Sequence, residues 1–64
     1  MNFNNEKFCK IIMKKKLSLT EVAEKTNVNM STISRYKNGI HKPNLKNICK
    51  LAEGLGVDID ELVD

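Results

Sequence analysis

The chain has 64 residues, with 11 Lys and Arg against 8 Asp and Glu, a net charge of +3 and 41% apolar side chains. At this length a single domain over residues 1–64 is expected, close to the lower size at which an apolar core suffices without staples, so a separate ligand-sensing domain has no room. No signal peptide, membrane-length apolar run, internal repeat or low-complexity segment is visible, so a cytoplasmic protein with no membrane association is expected.

The net charge understates an asymmetry. All 11 Lys and Arg lie in residues 1–50 against only Glu6, Glu21 and Glu24, which leaves that stretch at +8, whereas residues 51–64 carry five acids and no Lys or Arg, or −5. A basic body suits a polyanion, and an acidic end would turn away from it or toward a protein partner.

In chain order, Phe8, Ile11 and Ile12 give a first helix its apolar stripe. Lys14-Lys15-Lys16 place positive charge at its C-terminal end, where the helix dipole favours it, and read as a solvated helix end. Ser18 and Glu21 then have the spacing of a capping box, and Leu19, Val22, Ala23 and Thr26 follow at the i, i+3, i+4, i+7 spacing of a helix with one buried stripe. Ala23 is small enough to let a second helix cross steeply, with Ile33 as the expected partner.

The turn falls in Thr26-Asn27-Val28-Asn29. Asn27 tolerates the left-handed conformation, Val28 can tuck beneath the turn, and Asn29 fits an N-cap. From Met30 the residues divide by face: Ile33, Tyr36 and, at its edge, Ile40 follow the buried stripe. Ser31, Ser34, Arg35 and Asn38 line the other side, with Lys37 on the flank and no acid among them. Two short helices meeting at a tight polar turn, the second offering hydroxyls, a guanidinium and an amide, read as a helix-turn-helix suited to phosphates and base edges.

After the loop from Asn38 to Pro43, Asn44 can cap a fourth helix whose Leu45, Ile48, Leu51, Ala52 and Leu55 form a core stripe ended by Gly56. Asp58 and Glu61 repeat the capping-box spacing before a short last helix with Ile59, Leu62 and Val63. Catalysis and metal binding find no pattern. The one histidine, His41, falls in a loop, and Cys9 and Cys49 lie 40 positions apart without a companion at ligand spacing. Both cysteines are expected as reduced, small buried hydrophobes, and no enzyme activity, metal or cofactor is expected.

The chain resembles the helix-turn-helix domains of the phage-repressor and Cro-like class, the XRE family. The resemblance rests on Leu17-Ser18, Val22-Ala23-Glu24-Lys25, Val28, Ser31-Thr32-Ile33-Ser34-Arg35-Tyr36, Asn38-Gly39, Pro43, Leu45, Leu51-Ala52, Leu55, Val57 and Asp60-Glu61-Leu62, and runs from about Phe8 to Leu62. It implies a compact all-α, five-helix lambda-repressor-like domain whose third helix, about Met30 to Lys37, reads the major groove of double-stranded DNA.

Position by position, the resemblance puts base reading at Met30, Ser31, Ser34 and Arg35. Arg35 is the strongest candidate, since a guanidinium can bond two guanine acceptors at once. Met30 either presses on a thymine methyl or shields the core edge. Phosphate contacts fall to Thr32, Lys37 and Asn38, and to His41 and Lys42, whose segment reads equally as a polar loop. Three positions depart from the family pattern: Leu19 stands where a phosphate-binding glutamine is common, Ile12 and Lys37 replace a paired arginine and glutamate, and Asn27 replaces the turn glycine.

Operators of this class commonly comprise two half-sites, so a homodimer, at least on DNA, is expected. Ile59, Leu62 and Val63 are the expected subunit contact, unless Ile59 and Leu62 only close the monomer core. The resulting expectation is a sequence-specific transcriptional regulator acting as a repressor, because a small domain covering a promoter can exclude polymerase; activation by touching polymerase stays open. The alternative from another class is a small protein-interaction module, such as an antitoxin-like partner.

Overall fold

The computed structural model describes residues 2–64. Among the described residues four α-helices follow in order, α1 (Asn5–Lys14), α2 (Leu19–Thr26), α3 (Met30–Lys37) and α4 (Leu45–Leu55), and then a 3-10 turn at Ile59–Glu61. No helix among the described residues is long and apolar enough to cross a membrane.

Short-range hydrogen bonds set most of the helix boundaries. Asn4, Ser18, Asn29 and Asn44 each accept, through the side chain, a backbone N–H of the first helical turn that would otherwise lack a partner. At α2 the capping box is reciprocal: Glu21 N–H donates to Ser18 Oγ at 3.1 Å and Ser18 N–H donates to Glu21 Oε1 at 2.9 Å. That backbone N–H, helped by the Ser18 hydroxyl and the charge of Lys25, holds the Glu21 carboxyl below its ordinary value of 4.5, against a smaller opposing effect of desolvation.

A depressed folded-state value means that the contribution of Glu21 to stability is full above about pH 4.5 and fades as the pH falls from there through the folded value. Thermal melts of the protein and of Glu21→Gln should therefore differ at neutral pH and converge in acid. A difference that persists unchanged at pH 2 would show that the carboxylate is not its source.

The helices end with equal economy. Leu17 N–H donates to Ile12 O and Lys16 N–H to Met13 O, with Lys16 in the left-handed region at φ 54°. The same doubled pattern closes α3, from Ile40 N–H to Arg35 O and Gly39 N–H to Tyr36 O, and α4, from Val57 N–H to Ala52 O and Gly56 N–H to Glu53 O. It satisfies carbonyls that a bare helix end would expose and turns the chain sharply away from the axis.

Phe8, Val22, Ile33, Leu51 and Leu62 are fully buried at the centre of the core. Phe3 closes one side, its ring 5.6 Å from that of Phe8 and 6.0 Å from that of Tyr36. It is held there by an antiparallel bridge to Val63, with Asn4 N–H donating to Leu62 O and Asp64 N–H to Asn2 O, each at 2.8 Å. Lys7 Nζ adds a bond to Val63 O at 2.7 Å.

This pairing of the chain's two ends corrects the expectation of a fifth α-helix. Val63 must lie alongside Phe3 to form the bridge, so the segment before it makes one 3-10 turn, with Leu62 N–H donating to Ile59 O, and stops. The second capping box is correspondingly partial in its bonding: Glu61 Oε2 accepts from Asp58 N–H at 2.9 Å, while Glu61 N–H donates to the Asp58 carbonyl.

Two further expectations are corrected at the core edge. Ile40 is 71% exposed, because the left-handed Gly39 turns the chain out of the α3 stripe before reaching it. Leu45, the first residue of α4, is 58% exposed.

A close helix crossing that the sequence does not mark lies between α2 and α4. A methyl built at Gly54 of α4 would stand 2.5 Å from the carbonyl oxygen of Lys25 and 2.7 Å from Thr26 Cα, so here the backbones of α2 and α4 touch. Ala23 is only half-buried against the core. Beside the crossing, buried Thr26 satisfies its hydroxyl by donating to Val22 O at 2.7 Å.

Candidate nucleic-acid interface

The α2–α3 turn fixes how the polar face of α3 is presented. Asn27 ends α2 at φ 57°, ψ 36°, in the left-handed conformation, and Val28 is buried beneath it. Asn29 caps α3 with Oδ1 accepting from both Ser31 N–H at 2.8 Å and the Ser31 hydroxyl at 2.6 Å. The Ser31 hydroxyl thereby spends its proton on Asn29, which leaves its exposed oxygen as an acceptor.

The buried side of α3 locks its rotation. Ile33 and Tyr36 sit in the core, and the Tyr36 hydroxyl accepts from Asn47 Nδ2 of α4 at 2.8 Å. At the C-terminal end of α3, the Lys37 carbonyl accepts from Asn5 Nδ2 at 3.3 Å and from the Cys9 thiol at 3.5 Å, both on α1. With Ile12 buried and the Lys37 side chain exposed, these two bonds tie α1 to α3 without the arginine–glutamate pair common in the resembling family.

Of the expected base-reading residues, Ser31 and Arg35 are exposed, Ser34 is half-buried and Met30 is 50% exposed. Met30 Sδ accepts from Thr20 Oγ1 at 3.4 Å, so its chain bridges the start of α2 to the start of α3 while half of it stays open to contact. Among the expected phosphate contacts, Lys37, Asn38, His41 and Lys42 are exposed and Thr32 is half-buried. No acid occurs in α3, and its last turn carries Arg35 and Lys37.

The loop after α3 is shaped by the Schellman-type end: Ile40 N–H and His41 N–H both donate to Arg35 O, at 3.0 and 3.4 Å. The backbone of His41 is thus folded back against the end of α3 rather than trailing from it. Leu19, which replaces the common glutamine, is half-buried and packs against the core.

Asn5, Thr20 and Asn47 were not among the expected site residues. They act on α3 from α1, α2 and α4 across 32, 10 and 11 positions of sequence, separations at which no local pattern marks a partner. The expected subunit contact needs a larger correction: Leu62 is 0% and Val63 6% exposed within the monomer's own core, which leaves only Ile59 partly accessible. Cys9 and Cys49 are free thiols and half-buried rather than fully enclosed.

The model of a helix-turn-helix family matches residues 10–62. The chain belongs to the helix-turn-helix family. It is of the XRE type, and its all-helical fold is that of a small helix-turn-helix domain.

A transcriptional regulator from Listeria innocua has a solved structure that superposes with a TM-score of 0.79 at 28% identity, over 98% of this chain and 60% of that one. Among curated proteins, the small subunit of replication factor C from Methanocaldococcus jannaschii is 43% identical over 44 residues, and that from Thermococcus kodakarensis 36% over 44. Those matches cover 69% of this chain but only 2% and 5% of the archaeal proteins. What is shared is therefore a segment of 44 residues within much longer chains.

Proposed function

We propose that this helix-turn-helix protein is a sequence-specific DNA-binding transcriptional repressor that reads the major groove with α3. The observation that carries the reading is the acid-free, outward-facing row of Ser31, Arg35 and Asn38 on a helix whose rotation and both ends are fixed by hydrogen bonds to α1, α4 and the preceding turn. Such a row matches the mixture of base acceptors and phosphate oxygens in the groove, and its rigidity means that little side-chain or helix ordering remains to oppose binding.

In this reading Met30, Ser31, Ser34 and Arg35 face bases, and Thr32, Lys37, Asn38, His41 and Lys42 face phosphates. A single domain of this size covers one half-site, so two copies on a two-fold symmetric operator supply the affinity a regulator needs. Repression follows from occupancy of a promoter, which requires no further part. The similarity to the Listeria regulator supports the same reading.

The test is selection from a randomised duplex library at near-physiological salt, followed by sequencing of the retained DNA. A two-fold symmetric motif is the expected outcome. Weak retention that salt abolishes, without a motif, would reduce the interaction to charge attraction and overturn the proposal.

A further inference from the structure

Met30 is the first residue of α3 and stands 50% exposed, a large apolar side chain on an otherwise polar face. At the i, i+4 spacing it shares a strip of the helix with Ser34, and Ser31 and Arg35 lie beside that strip. An unbranched thioether with three rotatable bonds ordinarily samples many rotamers. Here its sulfur is tied: Thr20 Oγ1, near the start of α2, donates to Met30 Sδ at 3.4 Å. The neighbours of Met30 in the chain are engaged with each other, Asn29 Oδ1 with the Ser31 N–H and hydroxyl, so the Thr20 bond is what holds the Met30 side chain.

We propose that Met30 recognises the C5-methyl group of a pyrimidine and that Thr20 positions it for this contact, an inference that rests on the reading of α3 as the groove-facing helix. The N-terminal residues of a recognition helix are those that meet base edges. Met30 brings no donor to them, and its one polar atom, a weak acceptor, is already engaged by Thr20. Hydrogen-bond readout is therefore closed to it, and apolar surface remains. The apolar group in the major groove is the thymine methyl, and contact with it removes from water an area that the free protein leaves exposed.

What is sensed at this position is a methyl group rather than a base pair. Thymine is preferred to uracil there, although both pair with adenine and present the same O4 acceptor, and 5-methylcytosine is preferred to cytosine. Thr20 acts through Met30. Without its bond the thioether is free to rotate, and ordering it against DNA then costs rotamer entropy that the free protein has already given up.

The test uses the operator recovered by selection, with each thymine replaced singly by uracil. At one thymine per half-site the replacement should weaken binding about three- to fivefold, the worth of one buried methyl group, and 5-methylcytosine there should bind better than cytosine. Met30→Ala should abolish the thymine preference. Thr20→Val, which keeps the shape and removes the donor, should reduce it at least about twofold, whereas Thr20→Ser should retain it. Each preference is a ratio within one variant, so loss of folded protein cancels. A motif in which no uracil replacement depends on Met30 would overturn this inference and leave the proposed function standing, whereas the absence of any motif would overturn both. Equal weakening of the thymine and uracil duplexes by Thr20→Val would make Thr20 a phosphate contact and overturn its positioning role.

Discussion

Arg35→Ala should lower affinity for the selected operator by about 10- to 100-fold, equivalent to about 1–3 kcal/mol, while binding to unrelated duplex changes far less. Arg35 is exposed on the last turn of a helix fixed by the Tyr36 to Asn47 bond on one side and the bonds to the Lys37 carbonyl on the other. Its guanidinium therefore has room to approach a base pair without a cost in helix ordering. Removing it should relax preference at one base pair per half-site and leave the remaining positions of the motif intact.

Lys42→Ala serves as the contrast. A lost phosphate contact weakens all sequences alike and lowers the slope of log affinity against log salt by about one, without altering the motif. If Arg35→Ala behaved like Lys42→Ala, Arg35 would be a phosphate ligand and the specificity would lie with Ser31, Ser34 or Met30. Full retention of operator binding by Arg35→Ala would remove Arg35 from the reading head and leave Met30, Ser31 and Ser34 to carry it.

Gly54→Ala is the second substitution with a large expected effect, and two physical arguments oppose each other over its sign. Intrinsic propensity favours it, since alanine in a helix interior is better than glycine by about 1 kcal/mol. Packing opposes it: the added methyl would sit 2.5 Å from the Lys25 carbonyl oxygen and 2.7 Å from Thr26 Cα, and backbone atoms cannot swing aside as a side chain can. Separating α4 from α2 also loosens contacts of Val22, Leu51 and Leu55 in a core that has few residues to spare.

Overpacking of this kind costs about 1–3 kcal/mol, and a main-chain obstacle puts this case at the upper end. The expected net result is a loss of about 2 kcal/mol, which in a domain of this size lowers the melting midpoint by on the order of 10 °C. A rise in the midpoint would show that α2 and α4 can separate freely and that the crossing at Gly54 is not a constraint. Because Lys25 and Thr26 lead directly into the Asn27 turn, operator affinity should fall together with stability.

The residues themselves determined the caps, the turn and the polar row. Ser18 with Glu21, Asn29 with Ser31, Asn44 with Asn47, and the left-handed Asn27 and Gly56 all act through bonds or dihedrals spanning at most a few residues, so their spacing in the chain carries the whole signal. The division of α3 into Ile33 and Tyr36 within and Ser31 and Arg35 without is likewise a matter of helical period alone. Family membership followed from these features taken in order, and the match over residues 10–62 agrees with it.

Only the tertiary structure decided what lies next to what. Phe3 entered the core because the chain's two ends pair, which also enclosed Leu62 and Val63 and cut the last helix to one 3-10 turn. Leu45 and Ile40 match core residues by type and nearly by spacing, yet remain exposed at the ends of elements. Gly54 looks like a weak point in a helix until α2 is laid across it. The difference has one physical origin: capping and periodicity are written within a turn or two of the chain, whereas burial and close approach arise from residues tens of positions apart that meet only when the chain has folded.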